Sequence, residues 1–446
     1  MRIEGVKTID ILSVLIVLTT VTSVDQWSKI PLGPIAVVGF IFVISYLCVC
    51  RIYIINLKDD LKNLGKSRQI INLYILWVLL SFIRGFLFQA EGYWDYKSLF
   101  LNTAALLLPS LIYVFYKPDY TEKVLSLWMK YALPAFILFI PIVERSVYSR
   151  YLAPILLLGC FIPTMKKKWR FVFILLLLFN IFVDFTARSQ VIKAVICLLI
   201  SFSVPLVKLV PQVILRIVHY FLYCVPFLLL FLAITDTFNI FSMDEYLEDV
   251  QVEGSTGDDE SLIADTRTFI YEEVILSAIN NEYVLYGRTP ARGYDSMAFG
   301  RSDEKVAEDQ GSRDERYASE VLHPNVFTWI GIIGLFLYSI LYFIASSRAV
   351  FKSNNSYMKL LGLYVAFRWL YGWVEDWNQW DIMNISLWIM IAMCYSPYFR
   401  QMNDEEITNW VRACMDFKKK KDSPTLIINH EQKTSSNFTD GTQSES

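Results

Sequence analysis

The chain has 446 residues, of which 55% are hydrophobic, 15% aromatic and 19% charged, with a mean hydropathy of +0.40. Soluble domains run nearer a quarter charged, so this balance excludes an ordinary soluble protein and points to an integral α-helical membrane protein. The formal net charge of −2 is uninformative, because the charges gather in one central segment, in short connections and in the C-terminal tail. Nothing in the charge pattern supports nucleic-acid binding.

In chain order, apolar runs fall at roughly 9–24, 31–55, 70–90, 99–116, 124–143, 151–165, 171–187, 190–209, 214–235, 324–346, 359–374 and 382–398. Most approach the ~20 residues that cross a hydrocarbon core of about 30 Å. The expected fold is all-α and polytopic, with about 12 transmembrane helices and one large extracytoplasmic loop. About nine helices occupy 1–235, the loop 236–323, about three helices 324–398, and a cytoplasmic tail 399–446. The first run leads into another span rather than a small-residue cleavage pattern, so it reads as a retained helix. With the N-terminus inside, the inner connections hold Lys58, Lys62, Lys66 and Arg68, then Lys117 and Lys123, then Lys166, Lys167, Lys168 and Arg170, then Lys208 and Arg216, then Arg348, Lys352 and Lys359. Outer connections before the loop hold Lys29, Lys97, Arg145, Arg150 and Arg188. That bias follows the positive-inside rule, puts both termini in the cytoplasm and leaves the loop outside. The last twenty or so residues are too polar to bury and are expected to be disordered.

The loop varies along its length. Residues 244–260 are acidic and glycine-containing, and read as flexible. From 263 to 279 the spacing is helical, with Ile263, Ile270, Val274 and Ala278 on one face. Arg267 falls on that face, either snorkelling at the lipid surface or aimed into a site. Gly287-Arg288-Thr289-Pro290 reads as a turn. Residues 302–320 are highly charged, and no element is assigned there.

His323 is the loop's last residue and precedes Pro324, a residue favoured at helix starts. A helix N-terminus favours a neutral ring able to accept a proton; the alternative is an interfacial histidine with a satisfied hydrogen bond. Arginine binds phosphate bidentately and keeps its charge when partly desolvated. Arg188 lies in a short turn between two apolar runs, either functional or paired with Asp184. Arg288 and Arg292 join Arg267 as candidates for the same cluster, each with a solvated or ion-paired alternative. Arg84 is inside an apolar run, with Glu91 as its expected counter-ion. Around the end of the eleventh run, the stretch Trp369–Asp381, which holds Tyr371, Trp373, Glu375, Asp376, Trp377 and Trp380, forms either part of an aromatic belt or a surface for a sugar, rings stacking and carboxylates accepting from hydroxyls. The seven cysteines read as small core hydrophobes. No disulfide framework, metal-ligand spacing, phosphate loop or dinucleotide fingerprint is present, so no metal or cofactor is expected.

Three local patterns carry a family resemblance over roughly 171–343. Thr186-Ala187-Arg188-Ser189 is similar to a Ser-Arg turn, with alanine before the arginine. Thr266-Arg267, followed by Tyr271 and Gly287, is similar to an Arg, aromatic and Gly-x-Gly series, with the second glycine absent. His323-Pro324-Asn325-Val326-Phe327, then Gly331 and Gly334, is similar to a His-Asn, apolar, Gly-x-x-Gly closing motif, with a proline inserted. In this order the chain resembles the O-antigen ligase and polymerase superfamily. The resemblance implies a bacterial cytoplasmic-membrane enzyme performing metal-independent, inverting glycosyl transfer from a polyprenyl-diphosphate-linked glycan. It implies that Arg188, Arg267 and Arg288 hold the diphosphate and that His323 is the general base or orients the acceptor. Expected partners are the lipid-linked donor, an acceptor glycan or glycolipid, membrane lipid and a chain-length regulator or other assembly proteins. Polymerase, ligase and a non-catalytic lipid-linked oligosaccharide flippase are the three functions weighed, in that order.

Overall fold

The structure is a computed structural model that describes residues 2–32, 35–56, 61–184, 187–235, 237–239, 241, 251–253, 259–261, 267–297 and 313–417. It is mostly helical, and residues 1–415 form one compact unit. Six helical segments are long and apolar enough to cross a membrane: Lys7–Trp27, Val37–Ile55, Lys66–Phe88, Tyr93–Phe115, Gln212–Ala233 and Leu322–Lys352. The protein is therefore membrane-embedded.

The other apolar runs fold as shorter or segmented helices. Pro118–Leu127 passes through a π-turn at Trp128–Ala132 into Leu133–Phe139, with Pro134 at the join. Tyr148–Tyr151 and Pro154–Gly159 are short pieces inside the protein, where Tyr151, Leu157, Leu158 and Phe161 are fully buried. Their hydrophobicity serves protein packing, whereas Gln212–Ile234 exposes Ile217, Phe221, Phe227 and Phe231 as a lipid-facing helix would. Lys167–Phe182, Arg188–Phe202, Ser356–Tyr371 and Ile382–Tyr395 are of intermediate length, and the last is buried throughout.

The helix Leu322–Lys352 is broken at Gly331, whose backbone is left-handed (φ 68°). With ψ at −175° the conformation is open essentially to glycine alone and costs another residue about 1–3 kcal/mol. The break folds the His323 ring back to 6.4 Å from the Tyr338 ring. A straight helix would separate those residues by about 22 Å along its axis. Backbone groups freed at the break are met by the central loop. Arg288 N donates to Thr328 O, Thr289 N to Trp329 O, and Ile332 N to Val284 O. The Trp77 indole donates to Ile330 O at 2.9 Å. Gly287, also left-handed (φ 73°), lies so close to Gly331 that a Cβ on either would strike the other's backbone.

Within the loop the helix runs Thr268–Asn280, and Ile270, Val274 and Ala278 form its buried face as the spacing predicts. Arg267 precedes this helix at its cap instead of lying on the face, and Ile263 lies outside the described residues. Of the acidic segment expected to be flexible, 251–253 pairs antiparallel with 259–261 and the rest of 244–260 lies outside the described residues. All of 302–312 and the tail beyond 417 lie outside them too. Tyr294–Asp295 pairs with Glu315–Arg316. Asp95, fully buried, accepts from Arg313 and Tyr317 and so docks this part of the loop on a membrane helix.

Candidate functional site

The segment after Tyr371 is the meeting point of the sequence patterns. His323, second residue of its helix, is fully buried. Its backbone N donates to Gly372 O at 3.3 Å and its Nε2 lies 2.9 Å from Trp369 O. A carbonyl only accepts, so Nε2 carries the proton. The imidazole packs against Trp373 with ring centroids 4.4 Å apart and planes tilted by 37°, and Nδ1 is buried without a hydrogen-bond partner. A protonated Nδ1 would leave a buried donor unmatched, a costly state. The ring is therefore the neutral Nε2–H tautomer, with a lone pair on Nδ1.

Arg267 reaches the same segment from the loop and pairs with Glu375 at 2.8 Å. Tyr271, one helical turn on, donates its hydroxyl to Trp373 O. Burial pushes the Tyr271 phenol well above its ordinary value, despite nearby Arg267. Arg188 is the first residue of the helix Arg188–Phe202. On that helix the Ser189 hydroxyl lies in hydrogen-bonding range of Tyr371, and the Lys193 ammonium sits 5.5 Å from the Tyr371 ring centroid. Thus Arg267, His323, Trp373 and Glu375 come to one place from three distant stretches of sequence, and the helix that Arg188 begins packs against the same segment through Ser189 and Lys193.

Asp376 belongs to this place in another capacity. It is 1% exposed and bridges Lys193 at 3.1 Å and Arg368 at 2.6 Å, both themselves buried. Burial pushes its carboxyl up, but Lys193 and Arg368 outweigh that and hold it at about 2. Its backbone N donates to Glu320 O at 2.9 Å, tying the segment to the end of the loop. Asp376, expected among the residues that accept from a sugar, here spends its oxygens on two cations inside the protein. Trp377 is partly exposed and gives its carbonyl to Asn384, with no described contact to His323 or Arg267.

The remaining arginines form a second cluster. Arg84 donates to the carbonyls of Tyr286 and Gly287, bracing the turn against the helix break. Its expected counter-ion, Glu91, instead lies 3.6 Å from Arg313. Arg288 bridges Asp295 at 2.6 Å and Glu315 at 3.1 Å, and Arg292 pairs with Glu315. Arg84, Arg288 and Arg292, expected as substrate ligands, are not brought to the segment that holds His323 and Arg267. Backbone carbonyls and carboxylates engage their guanidiniums, and they hold the loop's own architecture together.

Sequence reasoning missed Lys193, Arg368 and Gly372, and took Trp369 only for its ring. A signal existed for the first two, since each is an ionisable residue inside an apolar helical run. Trp369 and Gly372 act through backbone carbonyls, which side-chain chemistry does not advertise. No protein-family model, curated protein or solved structure matches this chain. Fold and site together define a membrane-embedded helical protein with a buried neutral histidine at the foot of a polar loop.

Proposed function

We propose that the protein is a polysaccharide polymerase acting at the outer face of a bacterial cytoplasmic membrane. It would transfer a glycan from polyprenyl diphosphate to a lipid-linked acceptor sugar, within a twelve-span topology that has both termini inside. The observation that carries this reading is the convergence of Arg267 and His323 on 369–375, against which the helix beginning at Arg188 also packs. In the reaction, the acceptor hydroxyl attacks the anomeric carbon from the face opposite the diphosphate. The new C–O bond forms as the bond to the diphosphate oxygen breaks, with inversion. His323 Nδ1 takes the hydroxyl proton, and Arg188 and Arg267 stabilise the departing lipid diphosphate. Glu375, which pairs with Arg267 here, is the internal anion that an incoming diphosphate displaces.

Purified protein supplied with lipid-linked donor and acceptor should release the diphosphate lipid, and His323→Ala and Arg188→Ala should each abolish release. Undiminished release in both variants would reject this site. In a deletion strain, loss of chain length with single units still attached fits a polymerase. Accumulated, unattached lipid-linked polymer fits the ligase instead. The break at Gly331 favours a flippase as a further reading, because transporters build sites on broken helices. Movement of intact lipid-linked oligosaccharide across vesicles without diphosphate-lipid release would select it.

A further inference from the structure

The central loop is polar by composition, yet one part of it carries an exposed apolar surface. Ile275, Leu276 and Ile279 on the loop helix are 51%, 57% and 59% exposed, and Leu285 and Tyr286 just beyond are 53% and 52% exposed. Val284 between them is also exposed. A solvated loop does not ordinarily collect such a patch.

Its position explains it. The Tyr286 ring lies 5.9 Å from that of Trp77, midway along the 23-residue helix Lys66–Phe88. At 1.5 Å per residue, Trp77 is roughly 16 Å below the end of that helix at Phe88. Higher on the same helix, Arg84 holds the Tyr286 and Gly287 carbonyls, and Gln89 accepts from Thr289. The loop thus descends along a helix long and apolar enough to cross a membrane. The same helix also exposes Ile83, Phe86 and Leu87, as a lipid-facing helix would.

Backbone chemistry agrees. Hydrocarbon tolerates irregular backbone only where each polar group finds a protein partner. The carbonyls of Val284 and Leu285 accept from Ile332 N and Ile333 N, and those of Tyr286 and Gly287 accept from Arg84. The amides of Gly287, Arg288 and Thr289 donate to Tyr283 O, Thr328 O and Trp329 O.

We propose that residues 275–286 are a membrane-dipping segment in which the apolar side chains enter the leaflet and the exposed Asn280, Asn281 and Glu282 stay at its headgroups. Their exposed apolar side chains lie in the hydrocarbon of the leaflet in which the Lys66–Phe88 helix ends. The loop is then anchored in lipid, and it fills the break in the Leu322–Lys352 helix from within the bilayer. This inference does not depend on the proposed reaction.

Single cysteines at Leu276, Ile279 and Leu285, in full-length protein with exposed Cys50 and Cys224 replaced by serine, would carry a nitroxide label in lipid vesicles. Because these side chains face outward, labelling should leave the fold intact, which the unfolding temperature checks. Labels at Leu87 and at Met297, 91% exposed in the loop, serve as references. All three test positions should collide readily with oxygen and poorly with a water-soluble nickel chelate, matching Leu87 and opposing Met297. Nickel access equal to that at Met297 would overturn the proposal. So would exclusion of both reagents, which would mean that another protein surface covers the patch.

Discussion

At the scale of single residues, the histidine is defined by what grips it. Trp369 O fixes the proton on Nε2, Gly372 O holds the backbone and Trp373 covers one ring face. A Cβ on Gly372 would come 3.0 Å from Nε2 and 3.3 Å from Trp369 O. Gly372→Ala should therefore unseat the ring. Nitrogen-15 spectra of histidine-labelled protein should show one His323 tautomer in the wild type and a mixture in the variant. Asp376 anchors the same turn. Its folded pKa of about 2 lies below the ordinary carboxylate value near 4. The carboxylate's contribution to stability is thus complete above pH ~4 and is lost as pH falls towards 2. At neutral pH, Asp376→Asn leaves Lys193 and Arg368 without their counter-charge. Removing one partner of a buried pair costs about 3–5 kcal/mol, so the unfolding temperature in detergent should drop sharply. Adding Lys193→Met to Asp376→Asn restores the original net charge of the trio and should recover part of the loss. An unchanged unfolding temperature in Asp376→Asn would show that the triad does not hold the turn.

At the scale of elements, the junction between Gly287 and Gly331 governs how the loop meets the broken helix. Gly331→Ala combines a backbone conformation open essentially to glycine alone, costing about 1–3 kcal/mol, with a direct clash against Leu285 O. The expected outcome is detachment of 283–289, read as new protease cleavage in that stretch; a cleavage pattern identical to wild type would reject it. The sequence carried part of this. The glycines stood out as a spaced pattern, and 3.6-residue periodicity located the helix Thr268–Asn280 and its buried face. Periodicity reports which face is buried and is silent about partners. It could not distinguish Arg267, paired to the 369–376 segment, from Arg288 and Arg292, which close on Asp295 and Glu315. Hydropathy was similarly blind between lipid and protein interior. It gave the same signal for the enclosed 148–164 stretch as for the lipid-facing Gln212–Ile234 helix. The break at Gly331 was invisible because every residue around it is apolar.

At the scale of the whole molecule, the open quantity is how many apolar runs cross the membrane. The six long helices, taken alone, would leave 118–209 on the cytoplasmic side. Contacts at the far end of the first helix argue otherwise. Lys29 N donates to Ile142 O, Glu144 N donates to Trp27 O, and Ser28 bridges Val143. Arg150 lies 4.4 Å from the Trp27 ring centroid and bonds Asp381. At the opposite end, the Trp410 indole on the helix Asp404–Cys414 donates to Pro118 O. The segmented stretch from Pro118 to Phe139 therefore runs from the level of the C-terminal helix to the level of Trp27, the length of a span despite its π-turn. This geometry predicts that Glu144→Cys, an exposed position, reacts with a membrane-impermeant maleimide on intact cells just as Gln26→Cys does. Asn354→Cys, after the Leu322–Lys352 helix, should react only once the membrane is permeabilised. Glu144→Cys protected together with Asn354→Cys would return the count to six. It would also place Arg188 on the wrong side for the proposed chemistry. Labelling alongside Gln26→Cys keeps Arg188, Arg267 and His323 on one face of the membrane, where a lipid-linked diphosphate could reach all three.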